Sequence, residues 1–549
     1  MIDTQLTPEL IRANTAAGYW RNETVDVYLD RWARERPDKT AVVDASGRLT
    51  WSQLARTVER VAYGLGEHGL GAGSVISCQL PNWTEFVVLA LAATRLGAIL
   101  NPIPPTYRAN ELRFILETLQ TQALVVPQRF RNFDYVEMAE GLRAGAPRLE
   151  RVWIARGTPG RDMLPFAALL DTAWETRAGR RPLAGTDPNA VSEVIFTSGT
   201  TGEPKGVMHT SNTVLSIIYP VMERLAFSDR DVTLMSSTFG HQTGFLYGYN
   251  MTVLLGGTGV WLDVWNAEEA ARLIAAERVT FTMGATPFLQ DLTGTPALER
   301  HDVSSLRVFI SAGAPIPRKL VEDARRRLHC AISAGWGMTE NGCVTCNGLD
   351  DPDEKVFGTD GAPLPGMEVA IVDDDGAPQP PAAEGNLLVR GHSQFVGYWK
   401  RPEFTREAHT ADGWFKTGDR GVIDRSGYLS ITGRSKDLII RGGENISAFE
   451  VENVLFTHPK VAGVALVSMP DPRLVERGCA FVIPRPGAPP TLAELVDYLE
   501  ARKLARHKFP ERLELVSEFP MTPSGKVQKY KLREVIAEKL LTESARPTE

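Results

Sequence analysis

Cysteine is scarce in this chain, with five in 549 residues: Cys78, Cys330, Cys343, Cys346 and Cys479. So sparse and odd a set does not suggest a disulfide framework. Cys343 and Cys346 form a lone C-x-x-C with no second pair nearby and no histidine at finger spacing, so zinc is not expected. Long apolar runs are also lacking. The most apolar stretch, 86–100, is interrupted by Arg95 and flanked by Pro81, Asn82 and Glu85, too short and too polar to span a bilayer. The N-terminal MIDTQLTPELIRAN has no apolar core of the signal-peptide type. There is no internal repeat, no low-complexity run and no excess of positive charge. Lys and Arg number 60 against 67 Asp and Glu, a net charge of −7, which argues against a nucleic-acid partner. Together these absences point to a soluble, cytoplasmic protein with no integral membrane segment.

What is present is ordinary globular composition, 43% hydrophobic and 23% charged. A chain of this length buries a large core without staples. The region from 191 to 333 alternates short β-type runs with amphipathic stretches. Strands are expected at 191–196, 279–283, 306–311 and 330–333, the last three ending in the small-residue loops GATP, AGAP and AGWG. Helices are expected at 267–278, with Ala271, Ile274 and Ala275 on one face, and at 318–328. Strand, small-residue loop and helix in repetition indicate a parallel α/β sheet, with ligands at the carboxyl ends of the strands. Near residue 434 the segments shorten. Helices are expected at 448–456, 492–504 and 529–540, and strands at 461–469, 479–484 and 513–516. Thr491 with Glu494 makes a capping box for the second of these helices. The fold expected is α/β, a large N-terminal domain with βαβ-type sheets and a small mobile α+β C-terminal domain.

The strand at 191–196 runs into TSGTTGEPKGV, which contains Thr197, Ser198, Gly199, Thr200, Thr201, Gly202, Lys205 and Gly206. Glycines let backbone N–H groups approach an anion, hydroxyls donate to phosphate oxygens, and the lysine adds charge. The spacing is not that of a Walker A loop, because Pro204 stands where its second glycine would be. This loop resembles the phosphate-binding signature of the adenylate-forming superfamily of acyl-CoA synthetases, stand-alone adenylating enzymes and luciferases. Further elements of that pattern follow in order as far as Lys526.

The resemblance implies a set of roles. In SAGAPI, Gly313, Ala314 and Pro315 would lie beside adenine. In GWGMTE, which opens at Gly335, Trp336 would stack on the base in place of the usual tyrosine. Thr339 would contact the α-phosphate and the acyl carboxylate, and Glu340 would hold Mg²⁺, a hard cation suited to oxygen ligands. Asp419 would accept the ribose hydroxyls, Arg434 would contact ribose or phosphate, and the neighbouring Lys416 would be solvated. Lys436 falls at the hinge, giving domains of 1–433 and 437–549 around a hinge at 434–436. Arg441, Gly442 and Gly443 would line a coenzyme A tunnel. Lys526, in PMTPSGK, would be the catalytic lysine of the first step. His241, in FGHQTGF, would gate between carboxylate and thiol entry. The acyl pocket would be formed by Phe245, Met283, Gly284, Met338, Asn341 and Cys343, none of them charged. Cys343 and Cys346 are expected to be helix packing just past Glu340.

The resemblance therefore implies an ATP- and Mg²⁺-dependent acyl-CoA ligase that activates an apolar carboxylic acid, medium-chain or alicyclic, through an acyl-adenylate and then transfers it to coenzyme A. Its wording is most similar to medium-chain fatty-acyl and cyclohexanecarboxylate CoA ligases. An adenylating enzyme that loads an aryl or fatty acid onto a carrier protein shares nearly every motif and stays open. The partner expected is a small-molecule carboxylic acid, and a homodimer is compatible with the reading. A light-emitting oxidative enzyme is not demanded by any residue. A non-catalytic scaffold would predict loss of Lys205, Glu340 or Lys526, and all three are present.

Overall fold

Short apolar runs separated by amphipathic stretches fold here into βαβ units, because each strand must bury both faces and each helix one. The structure is a computed structural model that describes residues 2–544 except 144, 180–182, 184, 198–203, 314–315, 435–436, 443 and 523–524. Two large sheets dominate. A nine-stranded sheet has a parallel centre made by Ala331–Met338, Val308–Ala312, Phe281–Gly284, Val232–Met235, Thr258–Trp261 and Thr40–Asp44 in that spatial order. Antiparallel neighbours, Gly342–Cys346 and Gly47–Thr50, flank this centre. An eight-stranded sheet is parallel from Val191–Thr197 through Ile99–Pro102, Val75–Cys78, Ala123–Pro127 and Arg151–Ala155 to Leu164–Pro165. Lys205–Thr210 joins it antiparallel to Val191–Thr197. The apolar stretch near residue 90 is the buried helix Thr84–Leu96, part of the large core next to these sheets.

A four-stranded antiparallel sheet, Met367–Val372, Glu384–Gly391, Phe415–Ile423 and Leu429–Arg434, follows. The C-terminal part has its own sheet, built on the hairpin of Val461–Asp471 with Val475–Pro484 and covered by Ala448–Phe456, Leu492–Ala501 and Lys529–Ser544. Its two hydrophobic clusters draw all their buried members from residues 439–536. The capping box at Thr491 and Glu494 forms as expected. No helix among the described residues is long and apolar enough to cross a membrane.

The helix Arg318–Leu328 has the expected bounds. The helix Ala267–Glu277 buries Ala270, Ala271 and Ile274, so its inner face is turned slightly from the one expected. Two expectations fail near the GWGMTE motif. The strand does not stop in a loop at AGWG but runs through Met338, and Cys343 and Cys346 lie on the strand Gly342–Cys346, not on a helix. The cause is cross-strand pairing. Gly342 has φ +64 and lets the chain reverse, after which Gly335, Trp336, Gly337 and Met338 pair with Cys346, Thr345, Cys343 and Gly342. Of the two glycines that suggested a loop, Gly337 is there because the partner strand comes close, while Gly335 makes only ordinary contacts.

A Cβ at Gly337 would lie 1.9 Å from the Gly342 carbonyl oxygen, whereas one at the helical Gly141 would meet nothing within 4 Å. Gly337→Ala should therefore lower Tm by about 5 °C or more, while Gly141→Ala should leave it unchanged or raise it slightly. Differential scanning fluorimetry of the two variants checks this.

Candidate active site

Thr197 and Lys205 face each other across the hairpin of Val191–Thr197 with Lys205–Thr210, at the mouth of the loop between them. The expected phosphate-loop residues Ser198, Gly199, Thr200, Thr201 and Gly202 lie outside the described residues, as do Ala314, Pro315, Lys436 and Gly443. The Lys205 ammonium sits 5.1 Å from the Tyr398 ring centroid and 4.6 Å from that of Phe404. Such placement over aromatic faces holds a lysine without neutralising it. The Tyr398 hydroxyl in turn donates to Glu340 Oε1 at 2.9 Å.

The turn bearing Thr339 and Glu340 is pinned from two sides. Phe395 N donates to the Glu340 carbonyl at 2.7 Å. His209 Nε2 lies 2.8 Å from the Thr339 carbonyl, and its Nδ1 lies 3.0 Å from Thr213 Oγ1. A carbonyl only accepts, so Nε2 carries the proton. Burial pushes His209 down to about 4, so the ring is neutral at neutral pH.

Trp336 points from its strand towards Asp419. Its indole Nε1 donates to Asp419 Oδ2 at 2.9 Å, and Arg434 Nε donates to Oδ1 at 2.9 Å. Tryptophan in place of tyrosine thus adds an N–H that orients the carboxylate. Lys526 reaches the same place from the far end of the chain. It sits on a tight turn in which Thr522 N donates to the Lys526 carbonyl and Lys526 N donates to Thr522 Oγ1. Gly525, at φ +82, makes that turn, and a Cβ added there would stand 3.3 Å from Ala285 Cβ. A Cβ added at Gly313 would be 3.2 Å from Lys526 Cε, so a small residue leaves room for the lysine. Contacts at Gln290 Nε2 with the Ala462 carbonyl, 3.2 Å, and between Ser447 and the Thr432 carbonyl help seat the C-terminal part here.

The electrostatics follow from this convergence. Desolvation, then the Arg434 charge, push Lys526 down to about 8 against the pull of Asp419 and Glu340. Desolvation and then the Lys526 charge push His241 down to about 3, so it is a neutral imidazole whose Nδ1 accepts from Thr243 N–H at 3.3 Å. Burial raises Glu340 above the usual carboxylate range, opposed by the Tyr398 hydrogen bond and by Lys205 and Arg434. Among the described residues no cluster of three or more His, Cys, Asp or Glu could hold a metal alone. Glu340 still suits Mg²⁺, which takes one or two carboxylates, substrate phosphates and water.

The structure therefore brings Thr197, Lys205, Gly313, Gly335, Trp336, Thr339, Glu340, Asp419, Arg434, His241 and Lys526 to one region. It does not bring Arg441 and Gly442 there. Arg441 pairs with Glu511 at 2.7 Å, and Gly442, at φ +58, donates its N–H to the Leu474 carbonyl. Lys416 is exposed, as expected. Of the residues expected around the acyl group, Phe245, Met283 and Cys343 share one cluster with Trp336. Gly284 lies at the end of its strand, where a Cβ would strike Phe288, and Asn341 is fully buried with neither amide atom partnered. Met338 packs elsewhere, against Val207, Phe395, Tyr398 and Phe415 on the Lys205 side. His209 and Tyr398 were not foreseen. The position of His209 on the strand leaving the lysine was the one signal available.

This geometry agrees with the comparisons. Residues 29–399 match the AMP-binding enzyme family, and residues 450–526 match the AMP-binding enzyme C-terminal domain. The chain belongs to the AMP-binding enzyme family. It is a ligase of the adenylate-forming kind. Its relatives include the medium-chain fatty-acid–CoA ligase of Escherichia coli K12, 36% identical over 95% of this chain and 92% of that protein. A salicylyl-CoA synthase/salicylate adenylyltransferase of Streptomyces is 35% identical over 95% of both. Among solved structures, the anthranilate CoA ligase AuaEII with anthranoyl-AMP superposes with a TM-score of 0.87 at 26% identity, over 95% of this chain and 98% of that one.

Asp419 raises the Lys526 pKa. Asp419→Asn keeps an acceptor for Trp336 but removes that charge, so the Lys526 midpoint should fall below about 8. The pH dependence of Lys526 acylation by acetic anhydride, followed by mass spectrometry, reads it. An unchanged midpoint would contradict this electrostatic picture.

Proposed function

We propose that this enzyme is an ATP-dependent acyl-CoA ligase that activates a carboxylic acid with an apolar body, medium-chain or alicyclic. The observation that supports this reading best is the entry of Lys526, from the C-terminal part, among Gly313, His241, Glu340, Asp419 and Arg434. A mobile cation aimed between a phosphate hairpin and a neutral histidine suits attack of a carboxylate on a phosphorus atom.

In this reading ATP lies along the Thr197–Lys205 hairpin, with its base on Trp336 and its ribose on Asp419. The acid enters past His241, where Phe245, Met283, Gly284, Asn341 and Cys343 take its body and Met338 lies nearer the phosphates. Its carboxylate attacks the α-phosphorus, Lys526 and Thr339 stabilise the charge that builds, and pyrophosphate leaves an acyl-adenylate. Glu340 would hold Mg²⁺, which when bound supplies charge to the phosphate oxygens. The region 437–549 then turns about Lys436 as hinge, withdrawing Lys526 and bringing in Arg441, Gly442 and Gly443. Coenzyme A thiol attacks the acyl carbon and AMP departs. The hinge is supported by the separation of the two functions. Lys526 lies in the site while the Gly442 turn lies outside it, and one rigid placement cannot serve both steps. Five buried, unpaired thiols support a reducing cytoplasmic setting.

Transfer to a carrier protein is the second reading, left open by a relative whose name gives salicylate adenylyltransferase beside salicylyl-CoA synthase. Pyrophosphate release across acetate, octanoate, palmitate, benzoate and cyclohexanecarboxylate, with and without coenzyme A, separates the two. Turnover accelerated by coenzyme A, with thioester formed, is expected. A single burst that coenzyme A cannot extend would overturn ligation to coenzyme A. Lys526→Ala should cut pyrophosphate release by about 100-fold or more, yet still form thioester from supplied acyl-adenylate.

The pH dependence has a definite sign. The Lys526 ammonium is present below about 8 and lost above it, so kcat/KM for pyrophosphate release should fall as pH rises through that value. His241, at about 3, should add no acid limb between pH 5 and 8. Lys526→Arg stays charged and should remove the alkaline fall.

A further inference from the structure

Glu193 sits in the middle of the strand Val191–Thr197, with Leu100 beside it on one neighbour and His209 on the other. It is 2% exposed, and neither carboxyl oxygen has a hydrogen-bond partner within bonding distance. The polar side chain that acts on its carboxyl is Gln242, itself 3% exposed with neither amide atom partnered. Glu193 lines a cavity of about 30 Å³ together with Phe245, Tyr249, Asn250 and residues of the helices Thr84–Leu96 and Ser211–Arg224. That volume admits one or two water-sized groups. Leaving such groups without a partner is costly, and an apolar side chain would fill the space at no such cost. One residue of the cavity lining, Phe245, is also among those expected around the acyl group. Gln242 follows His241, which feels the Lys526 charge, and Phe245 comes one turn later.

We propose that Glu193, with Gln242, is a specificity determinant for the acid, binding the oxygen of a ketone or hydroxyl carried by the substrate at the end remote from its carboxylate. This rests on the acid-activating reading above and narrows its substrate class. Burial raises Glu193 well above the usual carboxylate range, which favours the protonated carboxyl and its O–H donor. The Gln242 amide adds two N–H donors, and both residues keep acceptor oxygens. A ketone satisfies the donors, and a hydroxyl satisfies a donor and an acceptor. An acid ending in a methyl or methylene leaves these groups with only each other, and sites built to hydrogen-bond a substrate oxygen discriminate strongly against the analogue that lacks it.

The test uses the full chain and two matched pairs, 4-oxocyclohexanecarboxylate against cyclohexanecarboxylate and 7-oxooctanoate against octanoate. The readouts are kcat/KM for pyrophosphate release and calorimetric affinity. The wild type should favour the oxo acid of at least one pair by about tenfold or more. Glu193→Leu should bring that ratio to near one, and Glu193→Gln, which keeps an N–H donor, should retain most of it. A wild-type ratio of one or less in both pairs overturns the proposal, and needs no variant. A ratio unchanged in Glu193→Leu also overturns it, and with a fall in Tm marks Glu193 as structural. If no acid yields thioester, ligation to coenzyme A fails, while the calorimetric ratio still decides the role of Glu193.

Discussion

Desolvation of the Lys526 ammonium, on a residue that is itself only half-buried, is the constraint around which the site is arranged. The fall from 10.5 to about 8 corresponds to roughly 3 kcal/mol in favour of the neutral amine. That penalty is kept small enough for a charged lysine at neutral pH by Asp419 and Glu340, while Arg434 works against it. An anion placed beside the amine would reverse the balance. A site that disfavours its own cation until an anion arrives is suited to stabilising charge that appears during a reaction. The small residue at Gly313 and the turn at Gly525 make room for this amine, and its charge adds to the burial that keeps His241 neutral.

The polar groups around it hold one another. Lys205 rests on Tyr398, Tyr398 donates to Glu340, and His209 holds the carbonyl of the preceding residue. On the other side Trp336 and Arg434 share the two oxygens of Asp419. Each side chain is fixed by a partner from a different strand, so the site inherits the rigidity of both large sheets. The C-terminal part presents Lys526 to this frame and keeps its Gly442 turn on its own sheet, so a rotation exchanging them leaves the frame intact. Glu193 and Gln242 differ from these held groups: both are buried beside the frame with no hydrogen-bond partner within bonding distance, as are Ser236, Ser311 and Asn341 among the described residues. That contrast is what marks them as awaiting a ligand.

Local chemistry was legible in the residues. The apolar spacing of Arg318–Leu328 and the capping box of Leu492–Ala501 set those helices, and the Gly- and Thr-rich loop with its lysine carried the expectation of a phosphate site. The loop expected at Gly335 and Gly337 was wrong because glycine serves equally in a turn and under a close partner strand, and nothing local distinguishes the two. The strand bearing Cys343 and Cys346 was missed for the same reason, since pairing with Gly335–Met338 decides it.

The sequence by itself determined the family, the α/β order of elements and the residue types expected to meet phosphate, because those depend on short-range spacing. Only the tertiary structure decided which partner each group has. The His209 contact with Thr339 spans 130 residues, that of Trp336 with Asp419 spans 83, and Lys526 meets Gly313 from more than 200 residues away. Such partners are chosen by sheet order and domain docking, which a linear pattern does not encode. The same holds for Glu193. Its place on a strand was readable, but only the packing of two helices and the segment after His241 against that strand left its carboxyl facing a cavity with nothing to bind.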